Sequence, residues 1–407
     1  MAAGTANAQG LTMQMSNGWN FSFSGNVNAF LTYTDAKCSN GATSCGFDGS
    51  LVGVGPEENR SRIRTGLLPA FATFEAKGKE AGVDLGVHFG FAPQIQNGGP
   101  NHDNFGNGTQ AGAQIDMRQV YLTAGGSWGQ ILAGREIGLY QRNNILNDMT
   151  LFGVGPSGGT GGGGTTLGRI GFGYVYPNFN AQMTYSSPST NPAQLSIGLF
   201  DPSIVGGAYD VTKTPRVESE FTYTTHFGST TAEAPAGMDK VLFFASGEYQ
   251  HAATGNTTSK TINTYGGAGG VRADFSGLAL VGSGYWGKAI GTTLMFDSGL
   301  ELDSNLDPRT SYGYIGQAEF QPIGTQWKFG ASYGESDVKT TSQDLTDISG
   351  GKGATFVKKN SAIVGAVTYM WTKSLRWVAE YTYAKSAAQD GTKATSNQGA
   401  VGMMLFF

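Results

Sequence analysis

Arginines are the residues of this sequence best suited to binding a ligand, because a guanidinium group pairs with a carboxylate or phosphate in two-point geometry. Arg62 and Arg64 lie on either side of the apolar Ile63, and three more arginines bracket a run, 137–168, with almost no strand pattern. A loop of about 30 residues inside compact β structure is unusual, and such loops tend to be functional. We predict that this loop narrows a polar passage whose selectivity depends on eight charged residues: Arg62, Arg64, Arg118, Arg135, Glu136, Arg142, Asp148 and Arg169.

The direction in which these side chains point is only partly readable. The alternation of polar and apolar residues predicts that Arg62 and Arg64 lie on the polar face of a strand. Around Arg118 and Arg135, apolar residues occupy both odd and even positions, so the pattern does not indicate on which face these two arginines lie. Later segments carry acids that would form an opposing wall: Glu218, Glu220, Glu248, Glu319 and Glu380. The alternative is that arginines and acids pair with each other and only stiffen the protein.

Other chemistries find little support. The four histidines, His88, His102, His226 and His251, are scattered without the serine or cysteine spacing of a hydrolase. The glycine-rich run 158–164 lacks the Lys-Ser/Thr of a phosphate-binding loop. A net charge of −4 provides no basic face for nucleic acid. We therefore expect no enzyme activity, no cofactor, no metal and no nucleic-acid partner.

Two cysteines indicate the compartment. Cys38 and Cys45 lie in one polar stretch, which favours a local disulfide in an oxidising environment; a pair of free thiols is the alternative. Without nearby histidines they make a poor zinc site. Residues 1–8 resemble the small-residue end of a signal peptide or a disordered terminus, and 9–407 read as one domain.

The elements that must position the charged residues are long alternating strands. Between Trp19 and Tyr33 the odd positions are apolar or small, and the even positions from Asn20 to Asn28 are polar. Fifteen residues of period two exceed a soluble strand of about five or six residues and suffice for a tilted strand crossing a bilayer, which needs about 9–11. The pattern predicts an all-β fold, a transmembrane antiparallel β-barrel with an inward-folded constriction loop at about 137–168.

Strand number follows from the spacing of the connections. Seventeen apolar segments can be counted, but single-chain bacterial barrels have an even number. Taking 167–186 as one strand bent near Pro177 leaves sixteen strands, and eighteen is the alternative if 293–302 supplies part of another hairpin. Long polar connections are predicted at 35–60, 95–113, 137–168, 287–310, 336–359 and 386–397.

Two motifs resemble a known family. The segment MRQVYLTAGGSWGQILAGRE is similar to the Arg-Gln-aromatic, Gly-Gly and Gly-Arg pattern of Gram-negative porins, and the ending GAVGMMLFF resembles the terminal strand of outer-membrane proteins. The resemblance implies a trimeric sixteen-stranded barrel in the bacterial outer membrane, surrounded by lipid and lipopolysaccharide. It also implies that Phe407 is a signal for the barrel-assembly machinery.

The function that this resemblance implies is passive diffusion of small hydrophilic solutes and ions through a water-filled channel. The arginines add the hypothesis of a mild preference for anions. Two alternatives stay open: a substrate-specific channel for an anionic solute, and a non-conducting surface barrel.

Overall fold

Alternating strands form one continuous antiparallel sheet that closes on itself. The computed structural model describes residues 10–16, 18–39, 45–52, 60–95, 115–157, 165–227, 239–255, 260–351 and 355–407. Its strands are β1 (Leu11–Gln14), β2 (Asn20–Cys38), β3 (Arg60–Arg64), β4 (Phe71–Glu80), β5 (Val83–Pro93), β6 (Ile115–Gly126), β7 (Gly129–Ile137), β8 (Phe179–Ser186), β9 (Ala193–Phe200), β10 (Arg216–His226), β11 (Lys240–Ala253), β12 (Thr261–Phe275), β13 (Leu278–Lys288), β14 (Thr310–Phe320), β15 (Trp327–Lys339), β16 (Val357–Met370), β17 (Leu375–Ala388) and β18 (Lys393–Phe406).

The first long strand and the last strand close the barrel. β18 pairs with β2 from Ala394 opposite Cys38 to Phe406 opposite Asn26. β2 and β4 to β18 form a closed ring of sixteen strands, which confirms the predicted fold. The two further strands are short: β1 pairs with the start of β2, and β3 pairs with β2 alongside the stretch that follows the β4 pairing.

The two faces of the sheet have opposite chemistry. In β17, Tyr381 and Tyr383 are exposed on the outside, whereas Glu380 and Thr382 between them are buried on the inside. This arrangement puts apolar and aromatic side chains toward hydrocarbon and polar ones toward the lumen. Among the residues that the structure describes, no helix is long and apolar enough to cross a membrane.

The connections differ at the two ends of the barrel. Turns of two residues join β4 to β5, β6 to β7 and β12 to β13, and the long loops lie at the opposite end, which is the extracellular end of outer-membrane barrels. The prediction of a long connection at 386–397 is wrong, because β17 and β18 continue into it and leave only 389–392.

The third long connection is longer than predicted. β8 begins at Phe179, so the expectation of one strand over 167–186 is wrong, and the non-strand segment extends over 138–178 rather than 137–168. Residues 169–176 alternate in sequence but are buried on both parities, as Phe172, Tyr174 and Val175 show. They pack inside the barrel instead of separating lipid from water.

Folded loops fill part of the extracellular mouth. Tyr140 and Val175 of the third connection pack with Val205, Ile290 and Phe296 of two later loops, against the inner wall of β11 to β13. A second apolar cluster joins the loop after β2 to the inner faces of β16 to β18. A helix, α2 (Ser342–Ser349), lies in the loop between β15 and β16.

Candidate constriction site

The segment 138–178, here termed the inward loop, lies inside the barrel. It contains one turn of α-helix, α1 (Arg142–Leu146), and a 3₁₀ turn over Met149–Phe152. Leu139 and Val154 are fully buried, and the loop backbone bonds to inward-facing side chains of many strands. A loop held at so many points narrows the lumen as a fixed element.

Acids on the barrel wall anchor this loop. Glu218 of β10 accepts hydrogen bonds from the backbone N–H groups of Leu139 and Tyr140, at 2.7 and 2.9 Å. Glu380 of β17 accepts from Val154 and Gly155 at 2.9 and 2.8 Å. Two of the five carboxylates predicted to form an acidic wall are thus occupied by backbone donors that would otherwise be buried without partners.

Amide side chains on two other strands bind the same loop. Gln317 of β14 accepts from the N–H of Met149 and donates to the carbonyl of Asn147, each at 2.8 Å. Gln398 of β18 donates to the carbonyl of Gly155 at 2.8 Å. Because an amide both donates and accepts, these residues fix the backbone of the loop without adding charge to the lumen.

Arg142 is the predicted site residue with the most complete ion pair. Its Nε lies 3.1 and 3.3 Å from the two carboxylate oxygens of Glu220 on β10, and its terminal nitrogen contacts the same carboxylate. The Arg142 side chain is 13% exposed and that of Glu220 5%, so water screens the pair only weakly. Arg142 therefore pins α1 to the wall.

Asp148 and Arg169 meet inside the loop itself. Asp148 accepts from the hydroxyl of Tyr174 at 2.7 Å, from Thr150 and from the backbone N–H of Arg169 at 3.1 Å. Burial raises the pKa of Asp148 against the opposing effect of these hydrogen bonds. Burial also lowers the pKa of Arg169 to about 10, and its guanidinium donates to the carbonyl of Ala362 at 2.8 Å.

Three further predicted residues face the lumen. Arg62 and Arg64 are buried on the inner face of β3 while Ile63 between them is exposed, and Arg64 donates to the carbonyl of Thr165 in the inward loop at 3.2 Å. Glu136 of β7 is also buried and accepts from Gln119 at 2.9 and 3.1 Å. The structure therefore connects Arg64 directly to the loop.

The other two predicted arginines differ from each other: Arg135 lies outside the lumen, whereas Arg118 contacts the inward loop through Tyr176. The placement of Arg135 at the constriction is wrong, because it is paired with Val120 and Ala181 on the outward side of β7 and is exposed. Arg118 is the extra residue of a bulge opposite Gly90 and Phe91, where the regular alternation breaks. Its guanidinium contacts Asp116 at 2.9 Å and the Tyr176 hydroxyl at 3.2 Å.

Arg376 is a lumen residue that the sequence reasoning did not single out. Its guanidinium carbon lies 4.7 Å from the ring centre of Phe152 in the inward loop and 4.5 Å from that of Phe406 in β18. No carboxylate within 4.0 Å pairs with it in the described part of the chain. The signal was available, since Arg376 has the lumen parity of Glu380, but nothing in the sequence indicated that the loop would reach it.

Arg376 borders a niche between the 3₁₀ turn and the wall. Its lining includes Met149, Lys328, Glu319 and Thr368. Lys328 is paired with Glu319 at 2.5 Å, so these two charges compensate each other. Glu380 also lines the niche, but its carboxylate is bonded to the backbone of the inward loop and forms no ion pair with Arg376 within 4.0 Å.

The cysteines lie at the extracellular end. Cys38 and Cys45 are joined by a disulfide with a Cα–Cα separation of 5.9 Å. After it, the backbone N–H groups of Leu51 and Val52 donate to Ser386 on β17, each at 3.1 Å.

In the described ranges, no group of three or more His, Cys, Asp or Glu side chains has the arrangement of a metal site. The glycine-rich run 158–164 and residues 1–8 lie outside the described residues.

Comparison with known proteins decides the family. A family model described as Gram-negative porin matches residues 1–398. The chain belongs to the Gram-negative porin family. A search of curated proteins finds no match. Membership confirms the predicted resemblance, and it makes this porin an outer-membrane channel for passive diffusion.

Solved structures share the fold at low sequence identity. The outer membrane channel DcaP of Acinetobacter baumannii is 12% identical with a TM-score of 0.67, covering 97% of this chain and 99% of that one. The anion-selective porin from Comamonas acidovorans is 13% identical with a TM-score of 0.60, covering 96% and 100%. A trimer form of OmpT from Vibrio cholerae is 11% identical with a TM-score of 0.56, covering 96% and 100%.

Proposed function

We propose that this porin is a diffusion channel for small hydrophilic solutes with a mild preference for anions. The preference for anions rests on a difference between the acidic and the basic side chains that surround the inward loop. Glu218, Glu220 and Glu380 are engaged by the loop, whereas Arg376 faces the niche without a described carboxylate partner. Acids that bind the loop attract cations less than free acids would, so a guanidinium without an ion pair shifts the preference of the lumen toward anions.

Arg62 and Arg64 extend this basic surface. Both are arginines on the inner face of β3, and guanidinium groups suit the carboxylates and phosphates of organic anions. Glu136 and Asp148 are in turn saturated by hydrogen bonds from their neighbours and add little accessible negative charge. The anion selectivity named for the Comamonas protein is consistent with this proposal.

The assembly that we propose is a homotrimer in the outer membrane, in contact with lipid and lipopolysaccharide. A trimer form exists for the OmpT protein of Vibrio cholerae, which has the same fold. We further propose that Phe407, whose ring lies 5.3 Å from that of Phe23 at the barrel seam, is recognised by the barrel-assembly machinery. In this function the protein is a channel and not an enzyme.

Planar-bilayer recording tests the proposal. We expect large, linear conductance in steps of three, and a reversal potential in a KCl gradient whose sign corresponds to chloride permeating faster than potassium. A reversal potential of the opposite sign would exclude the anion preference. Absence of conductance from a heat-modifiable, folded barrel would exclude an open channel and favour a non-conducting surface barrel.

A substrate-specific channel for an anionic solute is the second candidate. The observation in its favour is the apolar packing of the inward loop with two later loops at the extracellular mouth, through residues such as Tyr140, Val205 and Phe296. A mouth filled in this way restricts the entry of large solutes. Conductance that saturates with one organic anion, and is blocked by it at low concentration, would identify this case.

A further inference from the structure

Glu248 on β11 differs from the other acids of the lumen wall, because among the described residues it binds neither the inward loop nor a basic side chain. The other four predicted wall acids have such a partner: Glu218, Glu220, Glu319 and Glu380. Glu248 is 5% exposed, and one of its carboxyl oxygens lies 3.4 Å from the hydroxyl of Thr264. The other oxygen has no hydrogen-bond partner within the described ranges. A carboxylate buried in this way is costly unless a proton or a cation neutralises it.

A second carboxyl group lies directly opposite Glu248. Glu218 on β10 is its partner in the antiparallel pairing of β10 and β11, and it is buried on the same inner face. Opposite residues in such a pair have Cβ atoms about 4.5–5.5 Å apart, and like charges in these positions repel each other. Two carboxyl groups that share a buried site do not both ionise readily. One of the two acids is therefore expected to keep its proton.

The hydrogen bonds of Glu218 identify it as the ionised member of the pair. The guanidinium Nε of Arg216 donates to Glu218 at 2.8 Å. The backbone N–H groups of Leu139 and Tyr140 donate to the same carboxylate at 2.7 and 2.9 Å. Hydrogen bonds donated to a carboxylate stabilise its charged form. No ion pair within 4.0 Å joins Arg216 to Glu248 among the described residues, so the proton belongs on Glu248.

The inward loop places the hydroxyl of Tyr140 beside this acid. Gly266 on β12 is the register partner of Glu248, and a β-carbon at Gly266 would come within 2.5 Å of the Tyr140 hydroxyl oxygen. That hydroxyl has no hydrogen-bond partner in the part of the chain that the structure describes. Burial raises the pKa of Tyr140 well above its ordinary value of 10, and an ionised Glu248 would raise it further. Tyr140 is therefore a neutral phenol and not the group that titrates here.

The groups around Glu248 offer it no free cation. Its charged and titratable neighbours come from β10, the inward loop and β13: Arg216, Glu218, Glu220, Tyr140, Arg142 and Tyr285. Arg216 is paired with Glu218, and Arg142 is paired with Glu220. From β12 the uncharged Thr264 and Gly266 complete the surroundings. Both nearby guanidinium groups are thus already engaged by other carboxylates.

We propose that Glu248 holds a proton while the inward loop is packed against the wall, and that losing this proton at alkaline pH loosens the start of the loop. A protonated carboxyl group both donates and accepts, so it can bond to the Tyr140 hydroxyl without placing a second negative charge beside Glu218. When the proton leaves to the water of the lumen, the carboxylate that remains faces Glu218. The proposal concerns regulation of the channel and is independent of its ion preference.

Tyr140 connects this proton to the loops of the extracellular mouth. It packs with Val205, Ile290 and Phe296, so its displacement disrupts the apolar cluster that fills this side of the lumen. Water has to enter there to solvate an ionised Glu248, because a buried carboxylate without donors is unstable. The packed loop binds the proton more tightly than a loosened loop does. By linkage, the packing is therefore favoured at low pH and weakens as pH rises.

Hydrogen exchange and bilayer recording of the full chain at pH 6 and pH 9 test the proposal. After correction for the intrinsic pH dependence of exchange, we expect the N–H groups of Leu139 and Tyr140 to be about tenfold less protected at pH 9. The open-channel current should fluctuate more at pH 9, because the start of the loop is no longer fixed. The N–H of Met149, which the uncharged Gln317 holds, is the internal reference for exchange.

The variant Glu248→Gln carries a neutral amide of similar shape and should abolish both responses to pH. Glu319→Gln, the matched control, replaces a wall acid that has a basic partner and should keep them. Equal responses of Glu248→Gln and the wild type would overturn the proposal, and so would a wild type whose protection is the same at both pH values. If Glu248→Gln does not fold, infrared spectra of the wild type still decide, because the absence of a protonated carboxyl band at pH 6 would overturn the proposal as well.

Discussion

The guanidinium of Arg376 is held between two aromatic rings in the niche that Glu380 also lines, and among the described residues it forms no ion pair within 4.0 Å. We expect Arg376→Gln to lower the chloride-to-potassium permeability ratio roughly threefold, since one partly screened charge is worth about 0.2–1 kcal/mol. Arg376→Lys keeps the charge and should retain most of the ratio. Reversal potentials in a KCl gradient measure both.

The control for this prediction is Arg135→Gln on the outside of β7. Because Arg135 does not face the lumen, its loss should leave the ratio unchanged. An equal effect of the two substitutions would contradict the positions assigned to both arginines.

Single site residues could be predicted only where the strand pattern around them was regular. Arg62 and Arg64 flank the exposed Ile63, so period two gave their direction correctly. Around Arg118 and Arg135 the chain offers apolar residues on both parities, and the bulge at Arg118 shifts the pairing by one residue. A shift of one residue moves a side chain to the other face of a sheet, so no count from the sequence could place these two.

At the scale of elements, the inward loop depends on a few wall residues. Glu380→Ala removes the acceptor of two buried N–H groups, and each unpaired buried group costs about 1–3 kcal/mol. We expect faster hydrogen exchange at Val154 and Gly155 and larger fluctuations of the open-channel current. Glu319→Ala, which removes a partner of Lys328 but no hydrogen bond to the described part of the loop, should change neither. Unaltered exchange in Glu380→Ala would show that the loop is fixed without this carboxylate.

The extracellular helix α2 has a pH-dependent cap. Burial raises the pKa of Asp344, but hydrogen bonds from Arg309 and the backbone of Thr341 lower it further, so that it lies below its ordinary value of 3.8. A lowered folded pKa means that the ionised cap stabilises α2 fully above pH 3.8 and that this stabilisation is lost as pH falls through the folded pKa.

For α2 we therefore expect lower protection factors in hydrogen exchange at pH 3 than at pH 6. Asp344→Asn should lower protection at pH 6 by about fivefold, which corresponds to roughly 1 kcal/mol for a lost cap, and should remove most of the difference between the two pH values. Asp347→Asn on the same helix is the comparison. Equal pH dependence in wild type and Asp344→Asn would rule out Asp344 as the titrating group.

Strands with one face toward lipid and the other toward water could be predicted from the sequence, whereas segments buried on both faces could not. The long strands separate lipid from a polar lumen, so alternation identified them, whereas the number sixteen also required the rule that such barrels have an even number of strands. In residues 169–176 a similar alternation occurs, but Phe172 packs against the inner faces of β2 and β16 to β18, and Tyr174 packs among loop residues inside the barrel. The position of that segment depends on distant anchors, since Arg169 donates to the carbonyl of Ala362 and the N–H of Gly173 donates to Ser336, and no local pattern reveals these contacts.

At the scale of the whole molecule, closure depends on the ends of β2 and β18. The backbone of Phe407 exchanges two hydrogen bonds with Gly25, at 2.9 and 3.0 Å, and its ring packs on Phe23. We expect Phe407→Ala to refold in detergent with nearly wild-type yield but to reach the outer membrane of cells in several-fold lower amount, because assembly requires recognition as well as stability. Equal loss in both settings would assign Phe407 a purely structural role.

The anchors of the inward loop also impose an order in time. The loop is made before residue 180, yet its wall partners lie on β10, β14, β17 and β18, up to 243 residues later in the chain. Contacts between such distant residues form slowly, because the entropy of closing a long loop must be overcome first. The inward loop is therefore expected to reach its final position among the last events of folding, after the strands that it contacts have been inserted into the membrane.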